Sequence, residues 1–213
     1  MSNNLIAQSS LEAYARPGRH GREGGQACLF VSEVRGRALV SVIAHGGQCG
    51  PLRAKVRKRF GLDLPETPRL AIGSEVSFLW AGYEQWLAQA EETAIPDLQK
   101  AMTNEIGTFA SVIDQSDARA WVRISGPAAR CTLAKLAPID LHHRVFKPHD
   151  TAITTMEHIT GQITQIDDVP SYEISVPRSF AESFWHGLMQ AASEFGVEIT
   201  PSSLKPIVRS GRR

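Results

Sequence analysis

Apolar side chains recur along this chain with two periods, and each change of period marks the end of a predicted element. Between residues 118 and 124 apolar positions alternate with Arg119, Trp121 and Arg123. This period-two alternation predicts a half-buried strand that pairs in a hairpin with the strand before it. Gly126 tolerates the sharp turn that follows. Pro127 suits the first position of a helix, because proline has no backbone N–H and an N–H at that position would have no partner within the helix.

Four helices are predicted from apolar positions spaced three or four apart. The first begins at residues 50–51 and ends at Gly61, and the second begins near residue 96. The third follows Pro127 and is expected to leave Arg130 and Lys135 in water. The fourth is expected to begin with a capping box of Ser179 and Glu182 and to end at Gly196. Its apolar stripe is formed by Phe180, Phe184, Leu188, Ala191 and Phe195.

The remaining apolar runs, which are bounded by turn residues, read as strands. Residues 27–34 and 38–45 are predicted to form one hairpin, and residues 75–80 and 84–90 a second. Three further strands are predicted at residues 151–160, 162–166 and 172–176, the last two joined by a turn at Asp167, Asp168 and Pro170. This mixed order of strands and helices predicts an α+β fold with largely antiparallel sheets and packed helices.

The domain organisation follows from where the periodicity stops. Residues 1–25 are rich in glycine and polar residues and are interpreted as an extended arm. Residues 26–200 are predicted to form a single α+β domain with two related halves, about 26–137 and 151–200, because a Tyr-Glu pair begins a strand in each half. Residues 201–213 form a basic tail.

Composition narrows the class of protein. The chain has 213 residues, of which 42% are hydrophobic, so it can bury a stable core without disulfide bonds. Its 23 cationic and 22 acidic residues give a net charge of +1 and no field that would attract polyanions. The three cysteines, Cys28, Cys49 and Cys131, form no CxxC pair, which favours a reducing cytoplasm. No signal peptide and no membrane span is expected.

One helix face carries five cations in seven residues, Arg53, Lys55, Arg57, Lys58 and Arg59. Such a run invites a nucleic-acid hypothesis. No aromatic residue interleaves with these cations as single-strand binding requires, so we favour a solvated or partner-facing surface and expect no nucleic-acid partner.

Candidate chemistry is sparse. His142, His143 and His149 lie between Asp140 and Asp150 and are the residue types that bind zinc, although such a cluster in a connecting loop is more often solvated. Asp114 and Asp117 could form an acid/base pair. A simpler explanation is that each aspartate accepts a hydrogen bond from its own nearby backbone in a turn. No nucleophile with a nearby base, Walker loop or dinucleotide motif is present, so we predict no catalytic, cofactor-binding or metal-binding residue.

Two blocks carry a family resemblance. The first spans residues 114–142 and reads D-x-S-D-x-R, I-S-G-P-x-A-R, L-A-K and I-D-L-H; the second spans residues 178–196, and a looser match covers residues 82–87. Together they resemble the gamma subunit of heterotetrameric sarcosine oxidase, a relative of the glycine-cleavage T-protein. The motif residues that we single out as structural are Asp114, Ser116, Asp117, Arg119, Gly126, Pro127, Arg130, Asp140, Arg178, Phe180 and Trp185.

The resemblance implies a T-protein-like folate-binding fold and a non-catalytic structural subunit. The complex it implies oxidatively demethylates sarcosine to glycine, with hydrogen peroxide and either formaldehyde or methylenetetrahydrofolate as products. FAD, FMN, NAD and tetrahydrofolate are implied on other subunits and none in this chain. The implied partners are the folate-binding half of the alpha subunit, in direct contact, and the beta and delta subunits.

The subunit interpretation and its alternative predict different surface features. A docking subunit should expose an apolar patch, for which Trp80, Trp86 and Trp121 are candidate anchors and core packing is the alternative for each. The alternative function is a stand-alone folate-binding protein or one-carbon transferase, which needs a pocket with acidic and aromatic groups.

Overall fold

Two β-sheets stacked between two layers of helices make up the fold of the computed structural model, which describes residues 8–22 and 24–202. The seven-stranded sheet has the order β1-β12-β2-β8-β11-β10-β9. Its strands are β1 (Gly18–His20), β2 (Leu29–Glu33), β8 (Arg119–Ser125), β9 (Thr151–Met156), β10 (Ile159–Asp167), β11 (Ser171–Pro177) and β12 (Val197–Ile199). The five-stranded sheet has the order β4-β5-β6-β3-β7. Its strands are β3 (Arg37–Ala44), β4 (Leu70–Ala71), β5 (Ser77–Gly82), β6 (Gln85–Glu91) and β7 (Ala110–Asp114).

Each sheet buries its outer face under a pair of helices. Helices α3 (Ala129–Leu136) and α4 (Ala181–Ala192) share a core with the seven-stranded sheet. Helices α1 (Cys49–Phe60) and α2 (Leu98–Ile106) share a second core with the five-stranded sheet. Between the sheets lies a smaller apolar cluster that includes Leu39, Leu79 and Trp121. Among the strands that the structure describes, only β12 and β2 pair in parallel, so the predicted α+β fold with largely antiparallel sheets is confirmed.

Local patterns located most elements correctly. The apolar residues at helical spacing in α1 and α2 face the core: Leu52, Val56, Leu98, Met102 and Ile106 are buried, and Phe60 is half-buried. Gly61 ends α1 with a positive φ of 67°, as its position after the helix predicts. The hairpin of β5 and β6 and the Asp167-to-Pro170 turn between β10 and β11 are also present.

Two predicted hairpins are wrong. Strand β2 belongs to the seven-stranded sheet and β3 to the five-stranded sheet, although only three residues separate them. In the same way β7 pairs with β3, whereas β8 lies between β2 and β11. Strand β8 is therefore a central strand with both faces covered rather than a half-buried hairpin partner. Residues 37–114 form the five-stranded sheet and its helices as one insertion between β2 and β8, so the sheets do not follow the predicted halves.

The first described residues pack against the domain and do not extend away from it. Leu11 is fully buried in the core of the seven-stranded sheet, and Tyr14 makes an edge-on ring contact with His186 of α4. Strand β1 pairs with β12. A single turn at residues 10–14 brings Leu11, Tyr14 and Ala15 to this core, a pattern too short to stand out as periodic in the sequence. Residues 1–7 of the expected arm and 203–213 of the expected tail lie outside the described residues.

Two details of the later elements differ from expectation. The run predicted as one strand at residues 151–160 turns at Glu157 and His158, which have φ of 46° and 68° and carry no glycine to signal the turn. The capping box of Ser179 and Glu182 does not form, because residues 178–180 adopt a short 3-10 turn before α4. Phe180 consequently points out of the core and is 50% exposed.

Gly126 is the tightest of the predicted turn positions, and replacing it should destabilise the fold. Its φ is 108°, and an added Cβ would lie 2.7 Å from the backbone oxygen of Cys28. We expect Gly126→Ala to lower the free energy of unfolding by about 2 to 3 kcal/mol in urea denaturation. The control is Gly50→Ala in α1, where the added methyl meets nothing within 4 Å and should stabilise by about 0.5 to 1 kcal/mol. Equal effects at the two sites would contradict this account.

Candidate functional site: the cleft between the sheets

The inner face of the seven-stranded sheet is unusually polar for a buried surface. Because side chains alternate along β8 and β11, most apolar residues of each strand face α3 and α4, whereas the polar ones and Trp121 face the other sheet. These inward residues include Arg119, Arg123, Glu173 and Ser175, and Glu173 and Ser175 are no more than 2% exposed. Buried polar groups of this kind require partners.

Glu173 is the centre of a buried ion-pair cluster that joins the sheets. Arg123 lies directly opposite Glu173 across the β8–β11 pair, and its Nη2 is 2.5 Å from Glu173 Oε1. Arg37 reaches from the other sheet, and its Nη2 donates to both carboxylate oxygens at 3.1 and 2.9 Å. The Arg37 and Glu173 side chains are each 2% exposed. The guanidinium of Arg37 also stacks on Trp121, with 4.3 Å from Cζ to the ring centroid.

A cleft of about 650 Å³ opens beside this cluster, where the chain crosses from one sheet to the other. The connection from β2 to β3 and the connection from β7 to β8 both line it. Five of the sequence motif residues line it as well, namely Asp114, Ser116, Asp117, Arg119 and Arg178. Residues from both motif blocks, more than 50 positions apart, are thus brought to one place.

Asp114 and Ser116 stabilise the crossing between β7 and β8. Asp114 Oδ1 accepts the backbone N–H of Ser116 at 3.0 Å and its hydroxyl at 2.7 Å. Ser116 Oγ in turn accepts the backbone N–H of Leu39 at 3.0 Å. This geometry is that of a turn carboxylate, and Asp117 is exposed to solvent. The D-x-S motif therefore joins this connection to β3, and the bonds of Asp114 are those of the simpler sequence interpretation.

Arg119 and Arg178 occupy different depths of the cleft. Arg119 extends from β8 towards β11 and donates from Nη1 to Ser175 Oγ at 3.3 Å. Burial lowers the pKa of the Arg119 guanidinium, because a charged group loses hydration there. Arg178 binds the backbone oxygen of Gln8, and its own N–H donates to Ala118 O at 2.9 Å. Arg178 therefore ties the first described residues to the start of β8.

The other motif residues lie away from the cleft. Gly126 and Pro127 form the turn before α3, and Trp185 is 3% exposed in the core beneath α4. Asp140 Oδ1 accepts the backbone N–H of His142 at 2.8 Å in an exposed turn. Arg130 is half-buried rather than solvated, and its Nε donates to the Tyr172 hydroxyl at 2.9 Å. The sequence missed this bond because its partner is 42 residues further along the chain.

The Arg130–Tyr172 contact predicts a specific alkaline behaviour. Burial raises the pKa of Tyr172 above its ordinary 10.0, and Arg130 partly opposes that rise. A group whose pKa is raised on folding stabilises the protein below its unfolded pKa, and this contribution disappears as the pH rises past about 10. We expect Tyr172→Phe to cost about 1 to 2 kcal/mol at pH 8 and to show a smaller further loss at pH 11 than the wild type.

The measurement is urea denaturation at both pH values, with Tyr83→Phe as the control because Tyr83 is 86% exposed. An alkaline loss of the same size in wild type and in Tyr172→Phe would contradict the assignment to Tyr172.

The basic face of α1 is neutralised within the chain. Arg53 pairs with Glu66, Arg57 with Asp63 at 2.5 Å, and Lys55 and Arg59 both reach Glu105 at 3.1 and 3.3 Å. The hydrogen bond from Arg57 lowers the pKa of Asp63, and that from Lys55 lowers the pKa of Glu105. Because four of the five cations have carboxylate partners, this face offers little free positive charge for a polyanion.

The candidate metal ligands are not assembled. Among residues 8–22 and 24–202, no group of three or more His, Cys, Asp or Glu side chains is arranged to hold a metal ion. The rings of His142 and His143 contact each other at 4.3 Å, and Asp150 pairs with Arg69 at 3.0 Å. Asp150 also accepts the backbone N–H of Lys147.

Two of the three candidate tryptophan anchors are core residues. Trp86 is 1% exposed and Trp121 is 5% exposed, so neither side chain is presented at the surface. Trp80 is half-buried. Large apolar side chains do reach solvent elsewhere, at Phe30, Tyr83, Ile113, Val145, Ile153, Val169 and Phe180.

Comparison with known proteins assigns the family. A family-wide sequence profile described as "Sarcosine oxidase, gamma subunit family" matches residues 46–194. The sarcosine oxidase subunit gamma of Corynebacterium sp. (strain P-1) is 31% identical over 210 residues, covering 92% of this chain and 98% of the relative. The chain belongs to the sarcosine oxidase gamma subunit family. The subunit gamma of an Arthrobacter species is also 31% identical, over 206 residues that cover 91% of this chain and 96% of the relative.

Solved structures agree with the family and with the fold. A chain of the heterotetrameric sarcosine oxidase from Corynebacterium sp. U-96 superposes with a TM-score of 0.73 at 26% identity, covering 90% of this chain and 97% of that chain. Aminomethyltransferase T of the Bartonella henselae glycine cleavage system superposes with a TM-score of 0.61 at 13% identity, covering 83% of this chain and 48% of that chain. The second match extends to the fold alone and confirms the predicted T-protein-like architecture.

None of the helices that the structure describes in residues 8–22 and 24–202 is long and apolar enough to cross a membrane.

Proposed function

We propose that this chain is a non-catalytic structural subunit of a heterotetrameric sarcosine oxidase in the cytoplasm. The observation that carries the proposal is the likeness, over 90% of this chain, to a chain of the Corynebacterium sp. U-96 enzyme. The proposed complex demethylates sarcosine oxidatively to glycine, and FAD, FMN, NAD and tetrahydrofolate are bound by its other subunits. The alpha subunit is the direct partner, through its folate-binding half, and the beta and delta subunits complete the assembly.

The arrangement of the cleft supports a structural role. Asp114, Ser116 and Arg178 each form a hydrogen bond with the chain's own backbone. Glu173 is engaged by two guanidinium groups and is buried. These side chains hold two sheets and the first described residues in one arrangement, which is what a subunit needs in order to present a fixed surface to its partners.

Recovery of the chain from its own cells tests the proposal. We expect an affinity-tagged chain to co-purify with three companion chains, a flavin absorbance spectrum and sarcosine-dependent formation of hydrogen peroxide. A colourless chain recovered alone from cells grown on sarcosine would contradict the subunit assignment.

Phe180 provides a variant that separates docking from folding. It is a large aromatic side chain, 50% exposed, within the second motif block, and such residues are common anchors of interfaces. We expect Phe180→Glu to keep the wild-type unfolding midpoint and to recover at least tenfold less of the companion chains. Val169→Glu, at a turn residue that is 77% exposed, is the matched control and should recover them fully. Full recovery with both variants would exclude Phe180 as an anchor.

A further inference from the structure

The deep end of the cleft contains a guanidinium with unused donors. Arg37 lines the cleft, and its Nη2 is the nitrogen that binds Glu173. Its Nε and Nη1 are buried and have no hydrogen-bond partner. Buried donors are nearly always paired, because leaving water without a replacement partner costs free energy. An unpaired pair of donors on one buried arginine therefore indicates a missing acceptor.

The charges around the cleft indicate that the missing acceptor is an anion. Two guanidinium groups, those of Arg37 and Arg119, line the inner part of the cleft, and Arg37 already shares the Glu173 carboxylate with Arg123. Arg119 has one long hydrogen bond, to Ser175 Oγ at 3.3 Å, and lines the cleft beside Arg37. Glu33, the other buried acid of the cleft, is already bound by Arg35 at 2.6 Å and by Ser9. An anion bound between Arg37 and Arg119 would give the unpaired donors of Arg37 an acceptor and would lie next to two cations.

The exposed lining of the cleft is mainly acidic, and it also includes Arg178, which is bound to the backbone oxygen of Gln8. Four acidic residues that line the cleft are exposed, namely Glu92, Asp97, Asp114 and Asp117. Asp97 and Asp114 accept local hydrogen bonds from Lys100 and Ser116 and keep free lone pairs. A ligand with only negative charge would be repelled there, whereas a ligand with a carboxylate at one end and a cation at the other matches both regions.

We propose that the cleft binds a small zwitterion of the amino-acid class, with its carboxylate at Arg37 and Arg119 and its ammonium group towards the exposed acids. Arginine is suited to this task because its planar fork binds a carboxylate through two parallel hydrogen bonds. The volume of about 650 Å³ lies in the range of small-molecule sites. Residues 1–7, which precede Gln8 at the cleft, contain no acidic side chain that would supply the carboxylate. The site goes beyond the proposed subunit role and does not depend on it.

The test is a ligand-observed NMR titration of the purified full-length chain at low ionic strength with three probes: glycine, acetate and methylammonium. We expect saturable binding of glycine, weaker binding of acetate and none of methylammonium. Arg119→Gln should weaken glycine binding at least about tenfold, because it removes one charge-assisted contact. Lys58→Gln, which removes an exposed cation from α1, should change it less than twofold.

Arg119→Gln is preferred to a substitution of Arg37, because loss of Arg37 also breaks the Glu173 cluster. Thermal unfolding of each variant shows that the fold is retained. An absence of saturable glycine binding by the wild type, or unchanged binding by Arg119→Gln, would overturn the proposal. Equal binding of acetate and glycine would overturn the role of the exposed acids. Because no partner chain is present in the titration, none of these outcomes depends on the subunit assignment.

Discussion

We expect Glu173→Gln to lower the free energy of unfolding by about 3 to 5 kcal/mol, because it removes one partner of a buried ion pair. Glu173 is the carboxylate that two guanidinium groups share, and its side chain and that of Arg37 are each 2% exposed. Glutamine keeps the size of the side chain and removes the charge. The buried guanidinium of Arg37 then loses its carboxylate partner, and it cannot be neutralised because arginine stays protonated.

Urea denaturation at neutral pH measures this loss, and two variants make it specific. Glu66→Gln removes the acid of an exposed pair with Arg53, whose side chains are 30% and 76% exposed, and should cost less than about 1 kcal/mol. The double variant Arg37→Met with Glu173→Met removes both buried charges and should recover much of the loss, since packed apolar side chains can replace a buried ion pair. A loss at Glu173 no larger than that at Glu66 would show that the cluster does not hold the sheets together.

Trp86→Ala is the second substitution with a large expected effect, again about 3 to 5 kcal/mol. Trp86 is 1% exposed in the core between the five-stranded sheet and its helices. Its indole Nε1 donates to the backbone oxygen of Pro65 at 2.8 Å, and the guanidinium of Arg53 lies 5.7 Å from its ring. Alanine leaves a cavity and an unsatisfied carbonyl.

Trp86→Phe separates these contributions, because it retains most of the ring and loses the hydrogen bond; we expect a cost of about 1 to 2 kcal/mol from equilibrium unfolding. The same two variants distinguish a core residue from an interface anchor. An anchor would leave the unfolding midpoint unchanged and reduce recovery of partner chains, and that result would contradict the position of Trp86 in the structure.

Local sequence patterns predicted the helices well and the partners of strands poorly. The stripes of α1 and α2 and the turn between β5 and β6 are properties of residues a few positions apart, so a single sequence contains them. The hairpins expected for β2 with β3 and for β7 with β8 were wrong, because a short connection between strands can reverse the chain within a sheet or carry it across to another. Gly36, with a φ of 67° in the first connection, is compatible with either.

In the candidate site, too, the sequence identified individual residues but not which of them lie together. Asp114, Ser116, Asp117, Arg119 and Arg178 were selected by resemblance, and nothing in their spacing indicated that they would line one cleft. Glu173 was not selected at all, because an acid in an alternating strand reads as a solvent-facing residue. It is buried only because a second sheet covers that face of β11 and supplies Arg37, which is 136 positions away.

By itself, then, the sequence determined the class of fold, the position of the four helices and the family, since these depend on local periodicity and on matching strings of residues. Only the tertiary structure decided which strands share a sheet, which face of β8 and β11 meets the other sheet, and where the charges of the motif converge. The physical reason is that burial and electrostatic pairing depend on groups brought together across the whole chain. A residue's own neighbours in sequence specify its local conformation, whereas the dielectric and the counter-ions around it are set by the packing of distant elements.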